Sequence, residues 1–127
     1  MKTMPMHYFE NDEFVATLTR LAPVWQEVVG NDHLAEFLAV ERPATFDRRD
    51  ADWNGWADAV RPIAQAMEGA AAAAGSALNA EQRTALGIVA YSALCAEWHT
   101  DPGPAWIADR VRDLEWAEQW LLWPYGC

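Results

Sequence analysis

The sequence predicts an all-α fold, a compact single-domain bundle of four main helices plus one short helix over residues 1–127. Apolar residues recur at helical rather than alternating spacing along almost the whole chain, and cap-forming residues stand ahead of most periodic stretches. A composition that is 52% apolar supplies one core. A chain of this length removes roughly two thirds of its unfolded surface from water without disulfide or metal staples.

The elements follow in order. Asn11 precedes Asp12 and Glu13, a side-chain cap with acids in the first turn. From there Phe14, Leu18, Leu21, Trp25, Val28 and Val29 form one stripe, which predicts a helix over about 12–29 ending at Gly30. Pro23 lies opposite the stripe, where water can replace the missing hydrogen bond, so one kinked helix is favoured over two short ones. Asn31 can cap a short helix carrying Leu34, Phe37, Leu38 and Val40, stopped by Pro43. RPATFDRRDAD reads as a loop.

From about Asp52 a third helix aligns Trp53, Trp56, Val60, Ile63, Ala64 and Met67, with Pro62 diametrically opposite. GAAAAAGS after Met67 extends that helix or frays, because alanine favours helix while burying little area. Asn79 with Gln82 three residues on is a capping-box pattern, opening a helix through about His99. Between Ala85 and Ala96 there is no charge, and a helix apolar all round is expected in the middle of a bundle. Pro104 suits the first position of a last helix running to about Trp123, before Pro124.

Nineteen acidic residues against nine basic ones give a formal net charge of −10. That field repels phosphate backbones and anionic lipids, so neither nucleic acid nor a membrane surface is an expected direct partner, whereas a basic protein is. Solubility alone also accounts for such a charge. No apolar run approaches the roughly 20 residues a span requires. The opening MKTMPMHYFENDEF has no apolar core of a secretory signal, and Cys95 and Cys127 do not form a disulfide framework. A cytoplasmic location is expected.

Catalytic signatures are lacking. Ser76 and Ser92 sit in no nucleophile elbow, GAAAAAGS lacks the lysine of a phosphate loop, and chance carboxylate pairs are unavoidable among nineteen acids. His33 with Glu36, and Glu97 with His99 and Asp101, sketch a carboxylate and imidazole site. A di-iron bundle needs Glu-x-x-His on two helices, and a thiolate zinc site needs more cysteines. No metal, no cofactor and no enzymatic activity are expected.

The last helix carries the candidate site. At about 100° per residue, Trp106, Ile107, Val111, Leu114, Ala117, Leu121 and Leu122 cover one broad core face. Asp109, Arg112, Asp113, Trp116, Trp120 and Trp123 fall on the far side. Tryptophan and arginine concentrate at desolvated interface centres, where an indole brings large area with few rotamers to freeze. Three arrangements account for this second stripe: cover by another layer of the same chain, a partner interface, or closure of a homodimer. The arginine-rich segment FDRRDADWNGW is either a solvated loop and helix start or a second contact loop.

Function is read accordingly as a small acidic protein-binding module that inhibits or neutralises a basic protein partner, in the manner of immunity proteins, antitoxins and anti-defence inhibitors. The alternatives are a helical homodimeric scaffold or regulatory module and, further off, a small-molecule binder or enzyme with a pocket lined by Trp53, Trp56 and Trp98.

Overall fold

A computed structural model describes residues 8–44, 46, 49–97 and 104–122. Five α-helices account for most of them, with no strand among the described residues: α1 Asp12–Val29, α2 His33–Ala39, α3 Ala51–Ala74, α4 Ala80–Leu94 and α5 Pro104–Leu122. Single 3₁₀ turns occupy Tyr8–Glu10, Gly75–Ala77 and Cys95–Glu97. Each helix packs on the next in sequence, and α5 returns to α1, so the helices close a ring around the core. The expected four long helices and one short one are all present.

Caps explain the boundaries. Asn11 Oδ1 accepts from the backbone N–H groups of Glu13 and Phe14 at 2.9 and 3.1 Å, two donors that a helix start otherwise leaves unsatisfied. α1 then runs unbroken through Pro23, whose ring faces solvent. It ends at Gly30, whose φ of 86° is a left-handed conformation that side chains with a Cβ resist. Asn31 serves the junction twice: its Oδ1 accepts from the buried Trp25 indole at 2.8 Å and from the His33 N–H at 3.0 Å. The cap position itself is Asp32, with no side-chain bond of its own, and Val40 falls just past the helix end.

The alanine run resolves in favour of helix, which continues to Ala74 because Ala71 is buried and Ala74 partly so. Gly75 follows in close approach to Arg83: a Cβ there would meet Cγ and Cδ of that side chain at 3.3 Å, so the exposed arginine would have to shift slightly. The capping box forms in full, with Gln82 N–H donating to Asn79 Oδ1 at 2.8 Å and Asn79 N–H donating to Gln82 Oε1 at 3.4 Å.

Two expectations about α4 need correction. Its α-helical part stops at Leu94 and tightens into a 3₁₀ turn, and His99 lies outside the described residues. Nor is it enclosed on all sides. Ala85, Leu86, Val89, Ala90 and Ala93 face the core, while Ala80, Arg83, Thr84, Gly87 and Tyr91 are exposed. An apolar, alanine-rich composition made the two faces look alike; only the positions of α3 and α5 separate them.

The turn carrying Tyr8 and Phe9 seats an aromatic cluster. The Tyr8 ring lies 5.3 Å from Trp106 and 5.0 Å from Phe14, and its hydroxyl donates to the Ser92 carbonyl at 3.0 Å. Phe9 touches Phe14, Phe37 and Trp56 at ring separations between 5.3 and 5.4 Å. Helical periodicity alone does not single out these two residues, which precede the first helix.

Candidate functional site

The core face of α5 is narrower than the wheel suggests. Ile107, Val111, Leu114, Ala117 and Leu121 are buried, Trp106 is partly covered, and Leu122 is 40% exposed. Leu122 therefore leaves the expected core set, because it sits at the edge of a face centred on Leu114, on the side toward Glu118.

Opposite that centre lies the tryptophan stripe. Trp116 is 36% exposed, and its ring stands 5.9 Å from Trp120 at an interplanar angle of 52°, a tilted pair at a separation favourable to aromatic contact. Trp120 is half-buried against the edge of the core. Trp123 lies outside the described residues. Among the described residues, then, Trp116 is the most exposed indole.

The stripe's charges are largely satisfied within α5. Arg112 donates to Asp109 one turn away, the pairing its spacing implies. Arg110 pairs with Asp113 at 2.7 Å and places its guanidinium 5.5 Å from the Trp106 ring centroid, a cation over an aromatic ring. Arg110 stands outside the predicted stripe, and its i, i+3 relation to Asp113 and i, i+4 relation to Trp106 are the sequence signals that point to it. Across the helix, Arg20 of α1 donates Nε to both oxygens of Glu118 at 3.3 Å. Glu115 is exposed and has no partner among the described residues.

Elsewhere the surface is dominated by carboxylates. Arg42 binds the Phe9 carbonyl at 2.7 Å and lies near Asp12, and Arg61 pairs with Asp58. Among the described residues, exposed Glu13, Glu27, Glu41 and Glu81 have no such cation beside them.

The other sequence candidates settle differently. Asp50 caps α3 through the Asp52 N–H at 2.9 Å, and Phe46 packs edge-on against Trp56 at 5.2 Å, so these parts of the arginine-rich segment are structural. Asp47 and Arg48 lie outside the described residues. Trp53 and Trp56 are only 2% and 4% exposed, so their rings belong to the core, with only an edge of Trp56 reaching the surface hollow beside Pro43 and Gly55; Trp98 lies outside the described residues. His33 Nδ1 stands 3.6 Å from Glu36, and the His33 ring is partly exposed at the surface. Among the described residues no group of three or more His, Cys, Asp or Glu side chains gathers at metal-binding range, and no helix is long and apolar enough to cross a membrane.

Cys95 is buried at the α4 end of the same aromatic cluster. Burial pushes its thiol pKa up, against hydrogen bonds from Tyr91 and Tyr8 and the nearby Arg110 charge, which favour the thiolate. Burial likewise holds the Tyr8 phenol well above its ordinary 10.0. A thiol held protonated is a poor nucleophile. The chain matches no protein-family model, no curated protein and no solved structure.

Proposed function

We propose that this chain is a small acidic binding module that inhibits or neutralises a basic protein partner, in the manner of immunity proteins, antitoxins and anti-defence inhibitors. The observation that carries the reading is the open Trp116 indole paired with Trp120 on the outer side of α5. An aromatic anchor beside ion pairs already formed needs little ordering when a partner arrives, which lowers the entropic cost of docking. Surrounding carboxylates draw a cationic partner over long range and raise its association rate, while Trp116, Trp120 and the Asp109–Arg112 and Arg110–Asp113 pairs form the contact. Such a protein works in a reducing cytoplasm without a cofactor, and chemistry is left to the partner.

The product of the neighbouring gene is the first partner to test, with immobilised chain and calorimetry at low and high salt. The expected result is binding of a basic protein that weakens with salt and is lost in Trp116→Ala, with the variant's circular dichroism and melting unchanged. A Trp116→Ala chain that binds as well as the parent, or one that no longer folds, overturns the reading.

A further inference from the structure

α3 and α4 form an antiparallel hairpin with a groove of about 470 Å³ along its outer side. Small residues floor it, among them Ala72 and Gly87, and a Cβ built on Gly87 meets nothing within 4 Å. The charges on its walls are at opposite ends. Arg83 lies at the hairpin end, where its side chain covers Gly75. Glu68 precedes Gly75 by seven residues, about 10 Å along a helix axis. Among the described residues neither charge has an ion pair or side-chain hydrogen bond, and Arg83 is the only arginine there in that condition. Tyr91, 42% exposed, stands near the Glu68 end, two turns beyond Arg83.

We propose that this face docks a second copy of the chain across a two-fold axis near Gly87, with Arg83 of each copy pairing with Glu68 of the other. A two-fold contact presents the same patch twice, and with its axis across the groove it reverses the groove's direction. A groove with a cation at one end and an anion at the other is therefore complementary to itself in that arrangement, and in no parallel one, where like charges meet. The glycine and alanine floor permits close approach of backbones, and Tyr91 supplies protruding aromatic area for the facing groove. The exposed face of α4, which the monomer leaves without a neighbouring helix, is thereby covered. The surface is separate from the tryptophan stripe, and the proposal does not depend on the reading of α5.

Sedimentation equilibrium of the full chain over a wide concentration range tests it, with circular dichroism on every variant. The parent is expected to dimerise reversibly. Arg83→Glu and Glu68→Arg should each weaken the dimer by about tenfold or more, and the double variant should regain most of the loss, because the reversed charges again meet their opposites. Gly87→Trp should abolish the dimer with helicity unchanged, and Trp116→Ala should leave it intact. A parent that stays monomeric, single reversals without effect, a double variant that is not rescued, or a dimer lost through Trp116→Ala instead would each overturn the proposal.

Discussion

Trp53 and Trp56 on α3 and Trp116 and Trp120 on α5 are pairs of one residue type, each about one helical turn apart, with opposite fates. The α3 pair is sealed, and Trp56 packs against Phe9, Phe37 and Phe46. The α5 pair sits off the core, with Trp116 open and Trp120 half covered. What differs is helical phase. Trp53 and Trp56 share the stripe of Val60, Ala64 and Met67, so the aliphatic core draws them inward. Trp116 points away from Leu114, and the core had already been filled on that helix by Ile107, Val111, Ala117 and Leu121. Tryptophan content alone says nothing of which pair is structural.

The sharpest way to break this comparison is Trp56→Ala. It should cost about 3–5 kcal/mol by emptying the aromatic cluster, lowering the melting temperature by more than about 10 °C. A shift below about 3 °C would mean that the α3 pair is not the one holding the core. Next in size is the expected binding loss in Trp116→Ala: at least about 30-fold in partner affinity at a stability change under about 1 kcal/mol. Calorimetry and thermal melts on one preparation separate the two quantities.

Tyr8 stands between the regions, in ring contact with Trp106 of α5 and with Phe9, which touches Trp56. Tyr8→Phe keeps the ring and deletes the bond to the Ser92 carbonyl, for an expected loss of about 1 kcal/mol in urea unfolding near neutral pH. Because the Tyr8 phenol and Cys95 thiol both titrate above their ordinary values of 10.0 and 9.0, the folded chain retains protons that the unfolded chain gives up. Their contribution is complete below those ordinary values and is lost as pH rises through the folded ones. Stability should therefore fall on the alkaline side, and more gently in Tyr8→Phe. The smallest effect is expected from Arg112→Ala, a few tenths of a kcal/mol in the melt, since its pair with Asp109 is an exposed i, i+3 contact.

Much of this was readable beforehand. The caps at Asn11 and Asn79 and the stop at Gly30 are local, depending on a side-chain oxygen or a missing Cβ within a few residues. The Asp109–Arg112 pair is likewise set by spacing on one helix. Tyr8 and Phe9 were missed because their contacts reach residues far along the chain, such as Phe37, Ser92 and Trp106. Leu122 and the open face of α4 were misjudged for a related reason: a wheel orders residues around a helix but does not say how much of it the neighbours cover.

The sequence by itself determined the helices, their caps and phases, the charge excess, and which α5 residues stand apart from the core stripe. Each follows from interactions within about one turn or from a sum over composition. Tertiary structure decided that α4 keeps one face open, that Arg83 and Glu68 find no partner among the described residues, and that Trp116 stays accessible while Trp56 does not. Exposure is set by which surfaces meet when the ring of helices closes, and no local rule contains that distance information.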